Sequence, residues 1–256
     1  MKKLKQQISI LAQTSSGELF NQGIRLSQEL VVGINPDLGL MVMAQSSKPG
    51  SIQEKGSLPH RSIQILIDDM LLNLPEAKKN APKTASISLL TQCLRESIEN
   101  INEYLISYSE RLELEKIEES VALLTIQFED NKLSLFSSGD LKCYQVNSHE
   151  LSNLSATQKS QSLLGENKKI TCKFIEHEVS QNEILMMTTD SFLNAIGIEF
   201  VQTTLSRFND NLEMAFRQFN SRATRIGLNQ IPMIILCQVE TSEADPLSWL
   251  QKLGIR

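Results

Sequence analysis

Two aspartates stand where strands and turns would hold them firmly. Asp140 follows Ser137-Ser138-Gly139 in a turn between the strand-like runs Leu133-Ser134-Leu135-Phe136 and Lys142-Cys143-Tyr144-Gln145-Val146. Asp190 closes the apolar run Ile184-Leu185-Met186-Met187-Thr188-Thr189. A hard divalent cation needs several carboxylate oxygens converging on one spot, so the chemistry open to either aspartate depends on its companions. The structural alternative is that each side chain caps a turn or helix, and Asp190 ahead of Ser191 to Ile196 suits an N-cap.

Other reactive residue types are dispersed. His60, His149 and His177 lie far apart in the chain, none beside a plausible nucleophile or cysteine, and read as surface or packing histidines. Cys93, Cys143, Cys172 and Cys237 form no CxxC pair, which argues against a zinc site and for a reducing compartment. Asp37 falls in a turn, at the wrong end of its strand to assist Gln45, and Asp68-Asp69 reads as a solvated helix face. Ser46-Ser47-Lys48-Pro49-Gly50 lacks the strand and helix that flank a phosphate-binding loop.

The elements that must position the aspartates alternate between sheet and helix. Gln7 to Gln13, Glu29 to Ile34 and Gly39 to Ala44 read as strands, the last apolar enough to be covered on both faces. His60 to Leu74, stopped by Pro75, and Thr84 to Leu112 carry apolar residues at helical spacing and predict an antiparallel helix pair. Strands follow at Glu119 to Phe128, Leu133 to Phe136 and Lys142 to Val146, then a mostly looped Ser148 to Asn167. Strands at Ile170 to Val179 and Ile184 to Thr189 lead into helices Ser191 to Ile196, Glu199 to Arg207 and Asn211 to Arg225, the last closed by Gly227. Ile231 to Val239 is the closing strand. Residues 1–240 form one domain, and 241–256 a tail with a short helix docked through Trp249.

Composition limits the function classes. The chain has 256 residues, 41% hydrophobic and 21% charged, which suits a globular protein with a substantial core. A net charge of -5 argues against a nucleic-acid partner. No apolar run approaches a membrane span or a signal peptide, so the expectation is a soluble, cytoplasmic protein with no membrane partner.

The order of these pieces resembles the type 2C metal-dependent Ser/Thr protein phosphatases (the PPM family) from about Gln7 to Val239. Ser138-Gly139-Asp140-Leu141 is similar to the family's Gly-Asp-Ser-Arg turn. Glu183 to Phe192 is similar to its strand ending in Ser-Asp-Gly-Leu, and Arg222 to Ile235 to its last helix and closing strand. Thr14 to Gly17 loosely matches its opening Thr-Asp-x-Gly. The resemblance implies an α+β fold, an α-β-β-α sandwich of two antiparallel sheets flanked by helix pairs. It also implies a chemistry in which two divalent metals activate a water for in-line attack on a phosphoester.

Residue by residue, the resemblance leaves that metal centre short of acids. The family's Asn-Glu-Asp matches Asn21-Gln22-Gly23, which puts Gly23 at a ligand position. Gln45 stands at the central Asp, Asn229 at the Asp before the last strand, and Asn194 at the second accessory position. Asp190 remains, with Asp140 as the accessory-metal Asp. Arg25 is the nearest residue to the phosphate-binding Arg, and the flap between Leu154 and Ile170 is short. Exchanging Asp for Asn or Gln keeps an oxygen and removes the charge that dominates binding of a hard cation. The implied protein is a pseudophosphatase with no catalytic residues and no resident cofactor, and at most weak Mg²⁺ or Mn²⁺ binding at Asp140 and Asp190. Its implied role is regulatory, binding a protein such as a kinase or phosphoprotein. The competing expectation is an active phosphoprotein phosphatase with a rearranged ligand set.

Overall fold

The computed structural model describes residues 5–14, 18–26, 30–48, 56–80, 88–111, 119–129, 132–146, 150–157, 162–180, 182–228 and 234–242. In chain order the strands begin with β1 (Lys5–Gln13), β2 (Leu19–Phe20), β3 (Gly23–Leu26), β4 (Leu30–Asn35) and β5 (Leu40–Ser46). Helices α1 (Leu58–Asn80) and α2 (Leu89–Arg111) follow, then β6 (Val121–Glu129), β7 (Lys132–Ser137), β8 (Leu141–Val146), β9 (Leu151–Asn153), β10 (Ile175–Glu178) and β11 (Ile184–Thr189). The chain continues through α3 (Asp190–Ile196), α4 (Ile198–Arg207), α5 (Leu212–Arg225) and β12 (Ile234–Ser242).

Two six-stranded sheets result, ordered β2-β1-β12-β11-β8-β9 and β10-β7-β6-β5-β4-β3, with antiparallel pairing throughout. Strand alternation sends one set of side chains between the sheets and the other under helices. In β6, Ala122, Leu124, Ile126 and Phe128 join the core between the sheets, while Val121 and Leu123 meet the α1–α2 layer. In β11, Leu185 and Met187 face inward, while Ile184 and Met186 pack with α3, α4 and α5. Coverage on both faces explains why these strands read as unbroken apolar runs. The layer order is helix, sheet, sheet, helix, as the sequence leads one to expect.

Several details differ from the sequence reading. α1 does not stop at Leu74 but runs through Pro75 to Asn80. Proline removes the hydrogen bond to the carbonyl four residues back, which here belongs to Leu71, on an exposed stretch where water can replace the bond. The strand expected over Ile170 to Val179 shrinks to β10. Ahead of it Ile170, Cys172 and Phe174 keep the alternation, all facing the α2 side with the Phe174 ring 5.8 Å from Phe136, but the pairing with β7 covers only Ile175 to Glu178. β2, β3 and β9 are too short to show a period in sequence.

Gly227 does follow the C-cap of α5, with φ of 75°. There the Leu228 N–H reaches the Ala223 carbonyl at 2.9 Å and the Gly227 N–H reaches Thr224 at 3.1 Å, a Schellman closure. β12 continues to Ser242, two residues past the expected end of the domain, and the tail helix with Trp249 lies outside the described residues. Among the described residues no helix is long and apolar enough to cross a membrane.

Candidate functional site

The strand ends that matter gather at one rim of the sandwich. Leu141 opens β8 opposite Thr189, the last residue of β11, so Asp140 and Asp190 stand one step beyond that pair on neighbouring strands. On the facing sheet, Gln45 near the end of β5 pairs with Leu30 of β4 and Ala122 of β6. The turn joining β7 to β8 bridges the two sheets here.

That turn is stitched from several sides. Ser137 Oγ donates to the Leu141 carbonyl at 3.0 Å. The Ser138 N–H donates to the Leu123 carbonyl at 2.8 Å, and the Leu123 N–H donates back to Ser138 Oγ at 2.9 Å. Gly139 sits at φ of 73°, where a Cβ would come within 2.7 Å of both Ala122 Cβ and Leu163 Cδ2. Only glycine meets both demands, a left-handed backbone and no room for a side chain. Asp140 is thereby carried out to solvent at a fixed place.

Asp190 is not an N-cap. Thr189 caps α3: its backbone is extended, and its Oγ1 accepts from the Phe192 N–H at 3.4 Å and shares a 2.6 Å hydrogen bond with Ser191 Oγ. Asp190 is the first helical residue, where its charge complements the helix dipole. The Tyr144 hydroxyl donates to Asp190 Oδ1 at 3.4 Å. Burial, reinforced by the Asp190 charge, pushes the Tyr144 phenol up to about 12. Asn194 lies one turn further along α3 and is exposed, as Asp190 is.

Asp140 and Asp190 therefore adjoin at the end of the β8–β11 pair, with Asn194 a turn further along α3, and Gln45 stands at the rim of the other sheet, linked through the Ala122–Gly139 approach. Gly23 is not with them. It pairs with Ile34, at the opposite end of β4 from Leu30. Arg25, two residues on, is exposed, its guanidinium lying over the Phe20 ring at 5.5 Å and donating to the Ile24 carbonyl at 3.1 Å. Asn229 and His149 lie outside the described residues, as do Ser15, Ser16 and Gly17. Leu30, across from Gln45, is preceded in the chain by Glu29, an acid also outside the described residues.

Three rim residues escape a reading of the sequence. Glu119 accepts from Ser46 Oγ at 2.8 Å, next to Gln45, a contact set by β5–β6 pairing between residues 73 apart. Tyr144 reaches Asp190 from the β8 position paired with Met186. Gln13, at the end of β1, is fully buried and donates to Asn220 Oδ1 on α5 at 2.8 Å. Its own Oε1 has no hydrogen-bond partner among the described residues. None of these partners lies within helical or strand spacing, so no local signal announces them.

A dinuclear Mg²⁺ or Mn²⁺ centre does not fit what is assembled. Among the described residues no three His, Cys, Asp or Glu side chains come together as ligands. At the central position of the rim stands an uncharged Gln45, and the Asp190 carboxylate already accepts from Tyr144. Thr188, Thr189, Ser137 and Ser138 add neutral hydroxyls, all buried. Such an array is uncharged and bonded within the fold, to Leu141, Leu123, Phe192 and Thr189. It does not concentrate the negative charge that two hard cations need.

No protein-family model matches this chain, and no curated protein matches it. Solved structures do. PppA, described as a key regulatory component of T6SS in Pseudomonas aeruginosa, superposes with a TM-score of 0.62 at 12% identity, over 93% of this chain and 98% of that chain. The catalytic domain of the serine/threonine protein phosphatase PstP, solved with two manganese ions, gives 0.59 at 13% identity, over 93% of this chain and all of that chain. MsPP, a PPM Ser-Thr phosphatase from Mycobacterium smegmatis solved with cacodylate, gives 0.57 at 11% identity, over 92% of this chain and 98% of that chain. At such identities the likeness shows the fold: the chain is folded as the PPM-type Ser/Thr phosphatases are.

Proposed function

We propose that this protein is a phosphatase-fold binding module, catalytically inactive or impaired, that acts by engaging another protein in the cytoplasm. The observation that carries the reading is the uncharged Gln45 at the centre of the rim. It stands between Leu30 and Ala122, and although Glu119, Asp140 and Asp190 lie at the same rim, among the described residues no three His, Cys, Asp or Glu side chains group as metal ligands. Losing one carboxylate from a hard-cation site removes most of its attraction, and an array of amides and hydroxyls does not replace it. A regulatory role agrees with the description of one structural neighbour, PppA, as a regulatory component. The partner class, a kinase or a phosphoprotein, follows from the resemblance of the fold to phosphoprotein phosphatases.

One observation favours a second reading, a phosphatase with a rearranged ligand set: Asp140 and Asp190 do stand on adjacent strand ends. Turnover of p-nitrophenyl phosphate and of a phosphopeptide with added Mn²⁺ decides between the two. The expected result is turnover no faster than buffer, with no heat on calorimetric titration of Mn²⁺. Turnover that disappears in Asp190→Ala would overturn the inactive reading.

A further inference from the structure

The chain carries a net charge of -5, yet from Met214 to Leu228 it has three arginines and no acid. Arg217, Arg222 and Arg225 are exposed along α5, and Arg207 is exposed at the end of α4. Among the described residues none of the four has a carboxylate within ion-pair distance. Two lie over aromatic rings, Arg222 over Phe200 and Arg207 over Phe208, each with the guanidinium carbon 5.5 Å from the ring centroid. A cation over a ring face is attracted by the ring and still has N–H groups to donate. Ile226, 41% exposed, follows Arg225 directly and adds an apolar side chain to the same end of the helix.

The direction of α5 places this surface. The Asn209 carbonyl, just before the helix, accepts from Gln238 of β12, whereas Asn220 in its second half accepts from Gln13, which pairs with Ile234. Ile234 begins β12 and Gln238 lies four residues along it. The helix therefore climbs toward the rim where β1 and β11 end, and Arg222, Arg225 and Ile226 arrive beside it.

We propose that this end of α5 is a docking surface for an acidic segment of a partner protein, whose carboxylates pair with Arg222 and Arg225 while an apolar side chain covers Ile226. Charge complementarity is the argument: beyond Glu213, α5 is a basic run without acids on an otherwise acidic molecule, which attracts an acidic segment and repels the same stripe on a second copy. Arginine beside aromatic and aliphatic surface is also the composition of interface hot spots. A helix C-terminus favours cations by itself, which accounts for part of Arg222 and Arg225. It does not account for Arg217, two turns before the end, nor for the stacking of Arg222 on α4.

The inference rests on the protein-binding reading for its class of partner, and its test is independent of metal. The probe is a short fluorescent peptide of glutamates with one central leucine, titrated at about 0.15 M salt to suppress loose attraction. The expected result is saturable binding that weakens at least about tenfold in the double variant Arg222→Glu/Arg225→Glu and stays within about twofold in Lys168→Glu/Lys169→Glu, which changes net charge equally elsewhere. No binding by the native protein, or equal loss in both variants, overturns the proposal. So does tighter binding of a single-stranded oligonucleotide or of phosphatidylserine vesicles than of the peptide. Phosphatase turnover is a separate readout: its appearance would sink the inactive reading and leave this surface standing, while a failed peptide titration leaves that reading untouched.

Discussion

Gly139 meets a positive φ and a contact with Ala122 that leaves no space for a methyl group. Replacing it by alanine forces either the turn or β6 to move, so Gly139→Ala is expected to lose about 2–4 kcal/mol of stability in a denaturant titration. A loss below about 0.5 kcal/mol would mean that the two sheets are not in contact through this turn. The aspartate beside it is a different kind of residue. Asp140 is exposed and its hydrogen bonding does not hold the turn, since Ser137 and Ser138 do that through the backbone. The Gly-Asp turn thus carries a structural demand at its glycine that its exposed acid does not share.

Among the elements, the three-helix layer is held by a knot of phenylalanines. Phe219 of α5 meets Phe192 edge-on at 5.6 Å, Phe216 at 6.4 Å and Phe200 at 6.5 Å, so each of the three helices contributes. Phe219→Ala is expected to cost about 3–5 kcal/mol, measured as a shift of the unfolding midpoint with little change in its slope. The surface arginine Arg222 depends on the same knot, because the ring beneath it, Phe200, is packed on Phe219. On the far side of the molecule, the crossing from β10 to β11 is fixed by Glu183. Its nearly buried carboxylate accepts from the Ser180 N–H at 2.8 Å and contacts His177 Nε2 at 2.7 Å. These two elements sit in different sheets, so this small cluster helps set the alignment of the sandwich.

At the scale of the whole molecule, all four cysteines are buried and unpaired: Cys143 and Cys237 in one sheet, Cys93 on α2 and Cys172 in the segment before β10. Burial pushes the Cys172 thiol up from 9.0 to about 12, helped by the charge of Glu99, and the Tyr144 phenol moves up from 10.0 to about 12. Cys143 and Cys237 shift the same way, also mainly by burial. Each of these groups keeps its proton in the fold at a pH where the unfolded chain has released it. Stability is therefore complete below about pH 9 and declines as pH rises from about 9 toward 12. A melting temperature that holds constant from pH 7 to pH 11 would contradict this, and Cys172→Ala should flatten the decline.

The sequence by itself determined the layers. The apolar run at residues 39–44 calls for a strand covered on both faces, residues 119–128 and 184–189 read as further strands, and the helical spacing in residues 60–74, 84–112 and 191–225 supplies the covers. It also determined that Gln45 and Asn194, which the resemblance sets opposite the family's ligands, are neutral wherever the chain places them. Tertiary structure alone decided which residues share the rim. Register sent Gly23 to the opposite end of β4, paired Leu141 with Thr189 so that Asp140 and Asp190 adjoin, and set Glu119 beside Ser46 across 73 residues of chain. Local spacing carries no record of such pairings, since they arise from packing between segments whose periodicities are indifferent to their partners. The same holds for Arg222 of α5: composition shows a basic helix, and only the approach of α4 sets one of its arginines over an aromatic ring.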